Sequence, residues 1–255
     1  MVGIYEKEKR HQLYADLKAL VKNDSPYMIR FYGAFYDEGK VYLALEYMDC
    51  GSIKDMIDVM KQVRPISPDP TFLPEVVISK LVSKVLHGLV YVHENLKQVH
   101  RDVKTENILV NSKRGDAKLA DFGVSKELEA TLQMCETFIG TIAYMSPERI
   151  NNETYSYSSD IWAMGLVVLE MATGDLPYRD CPTIFVLHQK IKSEPSPSLS
   201  SCSAELGEFV ALCLKKEPGA RPSARQLLTH PFITKHSEND KDFAQFLSDF
   251  ATAKK

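Results

Sequence analysis

An α+β fold is what this sequence predicts, and three observations carry the prediction. Residues 27–36 and 41–47 are rich in aromatic and aliphatic side chains and flank the acidic stretch Asp37-Glu38-Gly39-Lys40, the pattern of a β-hairpin. Two shorter apolar runs, Ile108-Leu109-Val110 and Ala117-Lys118-Leu119-Ala120, border the polar turn 111–116 and read as a second pair of strands. Much of the remainder has helical character. Val77, Leu81, Val85 and Leu89 line one face of residues 74–93, and residues 159–173 are apolar nearly all round, as a central buried helix must be.

Taken in order, residues 5–22 read as a helix with Leu13, Leu17, Leu20 and Val21 on its seam. Asp16 lies on that same seam, either reaching water at its edge or awaiting a buried cation. After the hairpin, Gly51-Ser52 opens a short helix over Ile53, Ile57 and Met60, and residues 64–70 form a proline-rich loop. Residues 123–148 show no strong period, and so long a stretch inside a domain is expected to be functional or mobile. Asp160, near the start of the central helix, is expected to cap backbone amides. Trp162 and Glu170 interrupt that helix. Residues 195–198 read as a loop, 203–216 and 223–229 as helices, and Phe243, Phe246, Leu247 and Phe250 as the face of a docking helix in the tail.

Composition narrows the class. The chain of 255 residues is 44% hydrophobic and 25% charged, ordinary for a globular protein with ample length for a core. A net charge of −3 without a basic stripe speaks against nucleic acid as a partner. Cys50, Cys135, Cys181, Cys202 and Cys213 are odd in number and lack a C-x-x-C pairing, which suits reduced thiols in a cytoplasmic or nuclear compartment. No apolar run reaches the roughly 18 residues of a membrane span, and residues 1–6 lack signal-peptide character, so no membrane partner is expected.

The chemistry concentrates in two stretches. His100-Arg101-Asp102-Val103-Lys104-Thr105-Glu106-Asn107 is a loop entering the strand at Ile108, and Asp121-Phe122-Gly123 ends the next apolar run at a glycine that permits a sharp turn. An Asn and an Asp at neighbouring strand ends suit Mg²⁺, a hard cation that keeps phosphate oxygens and waters as its other ligands. Asp102 would then accept a proton from a hydroxyl, and Lys104 would neutralise charge on a moving phosphoryl group.

The pattern H-R-D-x-x-x-x-N followed by D-F-G resembles the catalytic core of eukaryotic protein kinases, with Ser146-Pro147-Glu148 standing where that family has A-P-E. The resemblance implies a two-lobe fold: an incomplete small-lobe sheet in residues 1–48, a mainly helical large lobe in 49–236, and a tail helix in 237–255. It implies ATP and Mg²⁺ as cofactors. Asp102 would be the base, Lys104 the γ-phosphate contact, Asn107 and Asp121 the metal ligands, and Thr141 a partner of Asp102 or Lys104 that shapes substrate entry. Glu46-Tyr47-Met48 would be the hinge whose backbone meets the adenine, with Leu45 guarding the pocket and Ser52 assigned to the nucleotide site. His100, Arg101, Phe122, Gly123, Glu148, Asp160 and Arg221 take structural roles, Arg221 as the partner of Glu148. Two departures stand out. Asp16 sits where the family has a Glu that pairs with a strand lysine, and the chain carries neither a G-x-G-x-x-G loop nor a V-A-I-K lysine. The expectation is that the sequence lacks the front of the small lobe.

Further stretches resemble MAP kinase kinases, among them Phe31-Tyr32-Gly33-Ala34-Phe35-Tyr36, Glu46-Tyr47-Met48-Asp49, Ser159-Asp160-Ile161-Trp162 and the run from Gly140 to Arg149. Thr131 and Thr137 have the S/T-x₅-S/T spacing of plant members, which implies regulatory phosphorylation, with Arg101 waiting for the phosphate. The resemblance implies transfer of the ATP γ-phosphate to Thr and Tyr of a MAP kinase, under control of an upstream MAP kinase kinase kinase. The alternative is a pseudokinase or scaffold that binds kinases of the same pathway without transferring phosphate.

Overall fold

The computed structural model describes residues 24–37, 40–63, 70–120, 142–151, 153–181 and 183–254. The helix expected at 5–22, with Asp16, lies outside them.

Strands β1 (Phe31–Asp37) and β2 (Lys40–Leu45) pair antiparallel from Phe31 opposite Leu45 to Asp37 opposite Lys40. Phe35 and Tyr42 stack across the pair with ring centroids 4.8 Å apart, a cross-strand contact that aromatic residues favour. A second sheet has the order β3 (Gly51–Ser52), β4 (Ile108–Asn111), β5 (Asp116–Leu119), all antiparallel. The chain approaching the hairpin adds to the far edge of β5: the Ile29 amide donates to the Leu119 carbonyl, and the Leu119 amide to the Tyr27 carbonyl, both at 2.9 Å.

The helices assemble around α4 (Tyr157–Thr173), whose residues 159–172 are all buried. Its start is capped reciprocally by Ser156 and Ser159. Its end is set by Gly174 at φ +79°, where an added Cβ would also sit 2.9 Å from the Phe72 ring. Gly165 lets α6 (Ala204–Cys213) approach closely, since a Cβ there would lie 2.8 Å from the Cys213 side chain. Against this centre packs α2 (Glu75–Val90), while α3 (Pro147–Ile150) is tied to it by the Ser159 hydroxyl donating to Glu148, and α1 (Ile53–Val63) packs on the turn at 105–107. Ile53, Met56 and Ile57 bury one face of α1, and α2 continues into a π-helical turn, Tyr91–Asn95. By length and composition Glu75–Asn95 is apolar enough to cross a bilayer, but 67% of its apolar window is buried inside the protein. It is a core helix in this fold.

The structure differs from the sequence-based expectation in three places. Helix α5 (Ile184–Ser193) has no counterpart in that expectation. Its buried residues are only Leu187 and Ile191, while Ile184, Phe185 and Val186 are exposed and blur the period. The helices expected at 203–216 and 223–229 are shorter, α6 ending at Cys213 and α7 spanning Ala224–Leu227. Asp160 does not cap its own helix. Ser156 is the N-cap, so Asp160 lies a full turn inside and faces another loop. The chain ends with α8 (Pro231–Thr234) and α9 (Asp240–Ala253), the latter burying Phe243, Leu247 and Phe250, with Phe246 partly buried.

Candidate active site

The loop 100–107 is held from below by α4. Both oxygens of Asp160 accept backbone amides from it, His100 at 2.8 Å and Arg101 at 2.9 Å, and Oδ2 also contacts His93 Nε2 at 2.8 Å. Asp160 is fully buried, so this carboxylate is held where its lone pairs are spent on fixed donors. Arg101 takes a left-handed backbone at φ +70°, uncommon for a residue with a Cβ. The amide bonded to Asp160 holds it there, and the side chain is exposed.

That anchorage turns Asp102 inward. Its residue is 6% exposed, and Oδ2 accepts from Asn107 Nδ2 at 2.9 Å and lies 3.2 Å from Lys104 Nζ. Asn107 also donates to the Asp102 carbonyl at 3.0 Å, bracing the loop across five residues. Both amide protons of Asn107 are thereby used. Among the described residues its Oδ1 accepts no hydrogen bond, which leaves a hard oxygen ligand of the kind Mg²⁺ takes. The Ala120 amide donates to the Asn107 carbonyl at 2.7 Å, so the strand preceding Asp121 is tied to this loop. Asp121, Phe122, Gly123, Thr131, Thr137 and Thr141 lie outside the described residues.

The segment linking β2 to β3 has the second set of groups. Glu46 is buried, and Lys118 donates to its two oxygens at 3.0 and 2.8 Å while Arg114 donates at 2.6 Å. Burial pulls this carboxyl upward, but the Lys118 hydrogen bond, the Arg30 amide and the charges of Lys118 and Arg114 outweigh it and hold the pKa below its ordinary value. With the side chain fixed, the backbone is presented. The Glu46 amide is used by Arg30 and the Met48 carbonyl by Gly51. Among the described residues nothing bonds the Glu46 carbonyl or the Met48 amide, an acceptor and a donor two residues apart that suit the edge of a purine. Ser52 is buried and caps α1, its hydroxyl donating to Asp55 at 2.8 Å and accepting the Asp55 amide at 3.1 Å.

A third cluster fixes residues 146–150. Arg221 NH1 and NH2 donate to Glu148 at 2.8 and 2.9 Å, and the remaining guanidinium protons meet the carbonyls of Lys215, Ser158 and Lys216. The guanidinium lies 5.1 Å over the Trp162 ring. Burial raises Glu148, but Arg221 and the Ser159 hydroxyl more than offset it and keep the carboxyl below its ordinary pKa.

The sequence reasoning singled out Asp102, Lys104, Asn107, His100, Arg101 and Asp160, and the fold brings these six together. It missed Lys118, Arg114, His93, Thr105 and Tyr144. Lys118 sits inside an apolar strand run, the one sign that it has a buried anion to meet. A profile of the protein kinase domain matches residues 4–233. The chain is 43% identical over 251 residues to mitogen-activated protein kinase kinase 3 of Arabidopsis thaliana, covering 96% of this chain and 46% of that protein. It is 37% identical to mitogen-activated protein kinase kinase 1c of Physcomitrium patens, covering 93% of this chain and 68% of that protein. It is 38% identical to MAP kinase kinase PBS2 of Saccharomyces cerevisiae, covering 96% of this chain and 36% of that protein. The chain thus spans about half the length of the Arabidopsis relative.

Proposed function

The chain belongs to the protein kinase family, in its MAP kinase kinase branch, and on that premise we propose that it phosphorylates Thr and Tyr of a MAP kinase at the expense of ATP. One observation carries the reading: Asp102 is buried and oriented by Asn107 while keeping Lys104 at 3.2 Å. Protein kinases as a family use ATP and Mg²⁺. Asn107, whose amide oxygen accepts no hydrogen bond among the described residues, and Asp121 are the residues that would hold the metal. The Glu46 carbonyl and Met48 amide would meet the adenine, and Ser52 is assigned to the same nucleotide site. Bound Mg·ATP supplies the transferable phosphoryl group and part of the charge that offsets it. The protein's own contribution is position and field. Asp102 accepts the proton of the substrate hydroxyl, and Lys104 offsets negative charge beside it. Thr141 helps shape substrate entry.

Thr131 and Thr137 are the sites we assign to an upstream MAP kinase kinase kinase, with Arg101 receiving the phosphate. In support, the Arg101 side chain is exposed and its backbone is anchored on Asp160. A cytoplasmic or nuclear setting is part of the same reading, supported by the free thiols of Cys50, Cys181, Cys202 and Cys213.

The test is transfer of labelled phosphate from Mg·ATP to a catalytically inactive MAP kinase, with Asp102→Asn as the control. Labelling of both Thr and Tyr, lost in the variant, is the expected result. Binding of the MAP kinase without labelling would assign the chain to scaffolding instead.

A further inference from the structure

Glu170 is a carboxylate placed in the middle of an apolar helix, 4% exposed, and the phosphotransfer reading above gives it no task. Its Oε2 is the meeting point of two hydroxyls from distant parts of the chain. Thr105 Oγ1 lies 2.9 Å away, and Tyr144 Oη makes a shorter contact with the same oxygen. The two hydroxyls are 3.1 Å from each other, and Thr105 Oγ1 is 3.4 Å from Glu106. Each hydroxyl has one proton, so the arrangement that satisfies both is for both to donate to Glu170. Thr105 is fully buried and Tyr144 nearly so, which denies all three groups water as a substitute partner.

The placement of the two donors gives the cluster its meaning. Thr105 follows Lys104 directly and opens the 3₁₀ turn Thr105–Asn107, in which the Asn107 amide donates to the Lys104 carbonyl at 3.0 Å. Tyr144 lies three residues beyond Thr141 in sequence, in the turn closed by the Met145 amide on the Ile142 carbonyl at 2.9 Å. A shift of either turn away from Glu170 strands a buried hydroxyl, or leaves the carboxylate with one donor fewer. The two turns are therefore coupled through one oxygen atom.

We propose that Thr105 and Tyr144 are positioning residues that share Glu170 as their anchor, so that the turn following residue 141 sets the placement of Lys104 and Asn107. This rests on the phosphotransfer reading for its consequence in catalysis, though not for the coupling itself. The variants are Thr105→Val and Tyr144→Phe, which remove one hydroxyl each and keep the shape, and Thr105→Ser, which restores the hydroxyl. Each hydroxyl-deleting variant should lower kcat about tenfold, the scale of one hydrogen bond to a charged group, with KM for ATP unchanged. The double variant should be little worse than either single one, and Thr105→Ser should lie close to wild type. Unchanged kcat in an active protein, a KM effect alone, or failure of Thr105→Ser to recover would overturn the proposal.

Amide hydrogen exchange on the 255-residue chain separates this from the functional reading. Thr105→Val should speed exchange at Met145 as well as at Asn107 and leave Leu214, in α6's C-terminal turn, unchanged. Coupled exchange in a protein that transfers no phosphate would uphold the coupling and reject the phosphotransfer reading. Acceleration confined to Asn107 would reject the coupling.

Discussion

Replacing Arg221 with Ala should be among the most damaging single changes available in this protein. The guanidinium makes five hydrogen bonds, two to Glu148 and three to carbonyls, and its side chain is fully buried. Among the described residues, truncation leaves Glu148 buried with Ser159 as its remaining side-chain donor, at 2.7 Å. Breaking a buried ion pair by removing one partner costs about 3–5 kcal/mol. For a chain of this size each kcal/mol moves the thermal midpoint by about 2–4 °C, so a fall of about 10 °C is expected. Arg221→Lys should recover only part of it, because an ammonium cannot satisfy the same planar set of acceptors. The double variant Arg221→Met with Glu148→Leu should lose less than the two single changes together, since no charge is then stranded. Thermal and urea unfolding of wild type, Arg221→Met, Glu148→Leu and the double variant measure this cycle, with Arg221→Ala and Arg221→Lys read alongside. A loss below about 1 kcal/mol for Arg221→Ala would refute the reasoning, because that is the range of an exposed pair.

Lys118→Met should weaken nucleotide binding more than it lowers kcat, since among the described residues it leaves Glu46 with Arg114 as its one side-chain partner and loosens the backbone between β2 and β3; calorimetric titration with ATP checks this, and unchanged affinity would count against the hinge assignment. The Glu46 and Glu148 carboxyls both have pKa values below the ordinary 4.5, so the stability they contribute is fully present above about pH 4.5. It is lost as pH falls through their lower folded values, and urea midpoints measured between pH 3 and pH 6 should drop on the acid side, less steeply in the Glu148→Gln variant. Gly165→Val should destabilise by about 1–3 kcal/mol through overpacking against Cys213 and Leu214, read as a lower thermal midpoint. A neutral result there would mean that α4 and α6 can separate at little cost.

The sequence by itself determined those features whose physical cause is local. Hairpin β1–β2 follows from two apolar runs around an acidic turn, α2 from a four-residue apolar spacing, and the central α4 from being apolar on every side. The loop 100–107 was legible because Asp102, Lys104 and Asn107 lie within a few residues of one another, so their bracing is a short-range matter. Tertiary structure alone decided which distant groups meet. Asp160 read as a helix cap because its nearest amides in sequence belong to its own helix, yet the fold brings it the amides of His100 and Arg101. Lys118 and Arg114 reach Glu46 across more than sixty residues, and Thr105 reaches Glu170 across sixty-five. Helix α5 escaped notice because its exposed Ile184, Phe185 and Val186 obscure the two residues it buries. A buried charge must find its counter-charge or its donors wherever the packed chain provides them, and sequence distance exerts no force on that choice.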